Sequence, residues 1–372
     1  MSVQTTEPQP RLQDNFIDQL EDAVSGKSIA KRADVLKRVT DLFLSGSGKY
    51  SEAQLVLFDE VMIKLIETVE VAARAQFGGR LADASDAPAN VMRRLAFDRA
   101  IEVAGPVLSR SERLGEEDLI KNAETMSQEH LLAISKRRSL KEGLTDVLVT
   151  RGNRDVLLSA ANNSGSQFSS LGISTLVERA SSDERLTLSM WSRSDIPRQQ
   201  MVRLFRQASE GLRLQLEATN PRQVDSIRAA ISAASERVQA IARDESVGSR
   251  EAHEHLRQLH SDGNLDETVL IDLLDQGNFD AIAAALSLMC DLPIGSVERA
   301  LAQGRFEQML IFAKAVGFSW RTTLALIQFQ ACGNTVSQAE ISQYFASYMR
   351  MQARTAQMAL QFYRLRESAA SP

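Results

Sequence analysis

An all-α fold of stacked antiparallel helix pairs, a HEAT- or armadillo-like α-solenoid, is what this sequence predicts, and three observations carry the expectation. Apolar residues recur at helical spacing along most of the chain. The periodic segments are short and joined by short polar links. One motif returns at a period typical of helical repeats. Composition points the same way. Of 372 residues, 44% are hydrophobic and only 5% aromatic. A core of Leu, Ile, Val and Ala suits helix-on-helix packing, whereas strands favour β-branched and aromatic residues. At roughly 150 residues per domain the length fits two or three domains or one elongated array.

In chain order, residues 1–10 carry two prolines and no apolar periodicity, and read as a flexible tail. Ile29, Leu36, Val39 and Phe43 form the first apolar stripe, ended by Ser45-Gly46-Ser47-Gly48. Ser51 and Gln54 have the spacing of a capping box, in which the side chains at N-cap and N3 each bond the other residue's amide. Leu55, Phe58, Met62, Leu65 and Val69 follow at alternating steps of three and four, one buried face. Helices are then expected over residues 91–110, 116–126, 128–137, 140–150, 155–161, 171–180 and 184–191. Links of a few residues leave only antiparallel neighbours within reach.

Val107-Leu108-Ser109-Arg110, Leu148-Val149-Thr150-Arg151 and Met190-Trp191-Ser192-Arg193 share a form, and their arginines are 41 and 42 positions apart. HEAT and armadillo arrays repeat at about 40–47 residues. On that reading each arginine emerges at the same height on one rim. After Pro197 a longer helix runs through Met201, Phe205, Leu212 and Leu216 to Asn220-Pro221. The break there divides a repeat domain, residues 11–220, from a C-terminal helical domain, residues 221–372. Three Gly-polar-apolar triplets, at 263–265, 277–279 and 304–306, mark helix junctions in the latter. A second capping box at Ser337 and Glu340 opens one long final helix holding Tyr344, Phe345, Tyr348, Phe362 and Tyr363. These aromatics either close the stack or present a homodimer or partner face.

No catalytic pattern emerges. GxGxxG, GxxxxGK[ST] and GxSxG are all absent. Of the four histidines, His253, His255 and His260 do not share a helix face, so no metal site is expected. The loop at residues 261–267 fails as a calcium loop, because its first ligand positions would be Gln258 and His260. Acidic pairs such as Glu116-Glu117 sit at helix starts, where they meet the positive end of the helix dipole. Cys290 and Cys332 lie within apolar helical patterns and read as buried thiols of a reducing cytosol. The N-terminus lacks the basic start and apolar stretch of a secretory leader, and the best apolar block, residues 281–290, is too short to span a bilayer. A cytoplasmic setting without membrane or cofactor is therefore expected.

Arginine supplies the candidate site. Arg110, Arg137, Arg138, Arg151 and Arg193 would form a strip able to hold carboxylates or phosphates. The same arginines could instead bond neighbouring helix ends.

Arg38-Val39-Thr40-Asp41-Leu42-Phe43, Leu57-Phe58-Asp59-Glu60-Val61, Arg94-Leu95-Ala96-Phe97-Asp98, residues 105–111, residues 144–153 and Leu360-Gln361-Phe362-Tyr363-Arg364-Leu365-Arg366 together resemble a bacterial family, domain of unknown function 2336. The resemblance implies a bacterial cytosolic protein and supplies no activity, cofactor or site residue. The expected function is a non-catalytic interaction scaffold or adaptor, regulatory in kind, that takes an acidic or phosphorylated partner on the arginine surface. A helical-repeat nucleic-acid binder is the alternative, disfavoured by the net charge of −5. An enzyme with an unfamiliar site stands third.

Overall fold

The computed structural model describes residues 29–370 except 182, 246, 304, 305, 333 and 334. The expected N-terminal tail and the Gly304-Arg305 part of the third triplet lie outside the described residues. Those described form 21 α-helices and one 3-10 turn, and no strand. They fall into two compact units that divide between Phe168 and Ser169.

The first unit holds α1 (Ile29–Ser45), α2 (Glu52–Ile66), α3 (Val71–Leu81), α4 (Ala89–Ala96), α5 (Ile101–Arg110), α6 (Glu116–Thr125), α7 (Gln128–Ser135), α8 (Glu142–Arg151) and α9 (Arg154–Asn162). Most helices pack on the one two places along. α1, α3, α5, α7 and α9 make one layer; α2 packs on α4, and α6 on α8, in the other. This is solenoid packing. Val35, Leu36, Val39 and Phe43 point α1 into the core, with Phe43 stacked on Tyr50 and edge-on to Phe58. The Ser51–Gln54 capping box forms as expected. Gly78 allows α3 and α5 to approach closely, since a Cβ there would meet Val107 Cγ2 at 3.3 Å.

Two sequence expectations change here. The helix over 91–110 is two helices, because Asp98 Oδ1 accepts the Ala100 amide at 3.0 Å and turns the chain between them. The structural repeat is also shorter than 41 residues. From α3 on, helices of one layer start at Val71, Ile101, Gln128 and Arg154, spaced by 30, 27 and 26 residues, whereas the first step, from Ile29 of α1 to Val71, is 42. A 41-residue step spans three helices and so crosses layers: Arg110 ends α5 in one, Arg151 ends α8 in the other.

The second unit holds α10 (Ser170–Ala180), α11 (Glu184–Trp191), α12 (Arg198–Thr219), α13 (Val224–Glu245), α14 (Val247–Ser261), α15 (Glu267–Gln276), α16 (Phe279–Cys290), α17 (Ile294–Ala302), α18 (Phe306–Val316), α19 (Trp320–Gln330), α20 (Gln338–Arg350) and α21 (Ala353–Ala370). α16 is its centre, buried almost throughout and touched by α12, α14, α15, α17 and α18. Gly277, at φ 68°, ends α15 in the left-handed conformation, and Asn278 then caps α16 through the Ala281 amide. The Asn220-Pro221 break falls inside this unit, as the tight turn that folds α13 back on α12. The expected single C-terminal helix is two, since Met351 is extended at ψ 124°. Its aromatics mostly pack inward: Tyr344 on Phe306, Tyr363 on Phe312, and Phe345 and Tyr348 on Trp320.

Buried charge stitches the second unit together. Glu298, fully buried, receives Arg198 at 3.1 Å and also Arg243. Arg198 Nε lies 2.7 Å from Asp280. Burial raises the Asp280 pKa, with the Arg198 charge opposing.

Candidate functional site

Where the arginines go decides which of them can meet a partner. The last carbonyls of a helix lack intrahelical partners and carry partial negative charge. In the first unit, side chains leaving one helix satisfy these carbonyls on the helix two places earlier. Arg110 NH2 donates to Gly79 O of α3 at 2.9 Å, with Asp83 also at 3.4 Å. Arg137 donates to Leu108 O at 2.6 Å and Ser111 O at 2.8 Å, at the end of α5. Arg151 NH1 donates to Ala123 O of α6. Asn163 Nδ2 does the same for α7 through Ser135 O and Arg137 O, at 2.9 and 2.7 Å. Asn122, fully buried, donates to Ala96 O of α4 at 2.8 Å.

Three of the five sequence-predicted site residues, Arg110, Arg137 and Arg151, are thus engaged between stacked helices. Arg138 is exposed. Arg193 belongs to the second unit and grips Asp195 through Nε and NH2 at 2.8 and 2.6 Å.

A different cationic group gathers at the α4–α5 turn. Val91, Met92, Leu95 and Ala96 bury one face of α4, which drives Arg93 and Arg94 to the other. Asp59 fixes the start of α4 by accepting the Val91 amide at 2.9 Å and Asn90 Nδ2 at 2.5 Å. The turn is held from below. Asp98 accepts Arg74 Nε at 2.7 Å, and its carbonyl meets Nε2 of buried His130 at 2.9 Å. Donation to a carbonyl requires a proton on Nε2, and Ser127 Oγ lies 2.8 Å from Nδ1.

Above this support lies a cleft of about 410 Å³ lined by Ile66, Glu67, Arg74, Arg94, Phe97, Asp98 and Arg99. A neighbouring depression of about 380 Å³ shares Arg94 and Phe97 and adds Ile63, Asn90, Arg93 and Lys121. Arg93 pairs with Asp118 at 2.8 Å and Arg94 with Glu67 at 3.7 Å, both arginines largely solvent-exposed. Such exposed pairs are weak and readily exchanged. Arg99 and Lys121 are exposed, with no side-chain partner among the described residues. Guanidinium forks and an ammonium around an aromatic floor can take carboxylate or phosphate groups together with an apolar side chain. The sequence signal was the Arg93-Arg94 pair next to Phe97-Asp98-Arg99, hidden when 91–110 is read as one continuous helix.

Among the described residues no three His, Cys, Asp or Glu side chains gather to hold a metal ion. No described helix is long and apolar enough to cross a membrane. Both cysteines are free thiols, and burial raises the pKa of Cys290 to about 12 and of Cys332 to about 11.

The model of a bacterial family, described as an uncharacterised protein conserved in bacteria, matches residues 103–361. The match takes in both units and begins after the α4–α5 turn. No curated protein and no solved structure matches the chain.

Proposed function

The chain belongs to the bacterial family named domain of unknown function 2336, and from that premise we propose that it is a non-catalytic protein-interaction scaffold of the bacterial cytosol that takes an acidic or phosphorylated partner segment. The supporting observation is the cleft at the α4–α5 turn, where Arg93, Arg94, Arg99 and Lys121 surround Phe97 on a hydrogen-bonded base. A solenoid offers extended surface and little built-in chemistry. The bonds to Asp98 fix the backbone of the turn that carries Phe97 and Arg99, which lowers the ordering cost of binding. An extended peptide with acidic residues flanking one apolar residue matches both the charge and the floor.

Fluorescence anisotropy with a labelled Glu/Asp-rich peptide containing a central Leu tests the reading on the full chain. Wild type should bind with an affinity that falls as salt rises. Arg94→Glu/Arg99→Glu should weaken binding by about tenfold or more, equivalent to at least about 1.4 kcal/mol. Equal binding by a folded double variant would remove the cleft from the function.

A further inference from the structure

The hairpin of α12 and α13 leaves one face uncovered, and we infer that this face is a homodimer interface, each copy adding two helices to a four-helix bundle. The inference is independent of the cleft in the first unit.

The two helices run antiparallel. Ser209 meets Ser235 at 3.1 Å and Glu217 meets Arg228 at 2.9 Å across the seam. Taking these residues as the seam and about 100° per residue, the apolar side chains of both helices turn to the same side. Leu212, Leu216, Ile227, Ile231, Val238 and Ile241 lie there. Four of the six are exposed, Leu212 by 50% and Ile241 by 54%. At the base Trp191 of α11 packs on Phe205 and continues the face.

Charge is sorted away from this side. Arg213 holds Glu210 and Glu217 at the seam and beyond it. Glu236 and Arg243, on the remaining side of α13, are taken by Arg299 and Glu298 of α17. Between 201 and 219 and between 224 and 241 the apolar side carries no charged residue inside its margins, Arg237 standing at its outer edge one turn before Ile241.

A two-helix layer cannot bury such a face alone; it needs a second layer. The uncharged face gives a foreign acidic or basic partner nothing to pair with. It meets a copy of itself without like charges opposed, as an isologous two-fold contact requires. Size agrees. Helices of 22 residues are about 33 Å long at about 1.5 Å per residue, and two side by side cover roughly 600 Å². Stable interfaces bury about 800 Å² per partner, and α11 supplies further area.

Sedimentation equilibrium of the full chain tests this. Wild type should sediment with the mass of two chains and dissociate only on dilution. Leu212→Glu/Ile241→Glu should have the mass of one chain with unchanged helical circular dichroism. Leu214→Glu, on the opposite side of α12, should stay at two chains. A one-chain mass for wild type at every concentration, or a two-chain mass for the double variant, overturns the proposal. Should the double variant lose its helicity, a spin label at Leu212→Cys decides. Dipolar coupling between two labels supports the interface, and its absence overturns it.

Discussion

Arg137 sits half-buried between two helices of one layer, with both terminal nitrogens on backbone carbonyls. Burial pulls its pKa down, against the nearby charge of Glu112. Charged hydrogen bonds of this kind contribute about 1.5–3 kcal/mol. Arg137→Ala should therefore lower the free energy of unfolding by roughly that amount, read from urea denaturation. Glu298 is the stronger case. It is fully buried between Arg198 and Arg243, and removing one member of a buried ion pair strands the others at a cost of about 3–5 kcal/mol. Glu298→Ala should show a loss of that size, whereas Arg138→Ala, exposed, should show almost none. At this scale the sequence spoke ambiguously. It marked Arg110, Arg137 and Arg151 as special, and both a partner strip and helix-end bonds fitted them. What separates the two is which carbonyl lies within reach. That depends on how far apart stacked helices sit in the chain, and no single residue states it.

Helices were the most legible features, wherever an apolar face and a start signal coincide. Both capping boxes, the Gly277-Asn278-Phe279 junction and most short helices of the first unit stand near their expected places. α3 is weakly signalled because Gly78 and Gly79 lower helix propensity, although Gly78 serves close packing against α5. The breaks at Phe97–Ala100 and at Met351 were hidden because the apolar spacing runs through them. The first concealed the cleft. Element ends also carry a pH signature. Glu267 of α15 accepts the Ser319 amide at 2.8 Å and its hydroxyl at 2.5 Å, together with the Thr322 hydroxyl, at the start of α19. Burial pushes its pKa up, but these bonds pull further, leaving it below the ordinary 4.5. A depressed carboxyl adds stability above its unfolded value and loses it as pH falls through the folded one. Wild type should thus exceed Glu267→Gln in stability at neutral pH. The gap should close as pH drops below the usual glutamate range, as measured by denaturation across an acid series.

The described residues form two cores. One draws on residues from Val35 to Val156, the other from Val202 to Leu360. The all-α solenoid class was readable from periodicity and link length. A proline after a long helix looks like a boundary, yet here it turns a hairpin inside the second unit. Separate cores predict separate responses. By hydrogen exchange, Arg137→Ala should speed exchange in α5 and α7 while leaving α16 and α17 unchanged, and Glu298→Ala should do the reverse.

Two sets of arginines now have distinct roles, one holding stacked helices together and one facing solvent at the α4–α5 turn. Measuring acidic-peptide affinity and the urea midpoint on the same samples of Arg137→Ala and Arg94→Ala/Arg99→Ala separates them. Arg137→Ala should unfold at lower urea and bind the peptide as wild type does. The double variant should keep the wild-type midpoint and lose binding by about tenfold. The opposite pattern, with binding lost in Arg137→Ala and retained in the double variant, would return the partner surface to the helix-end arginines and contradict the cleft.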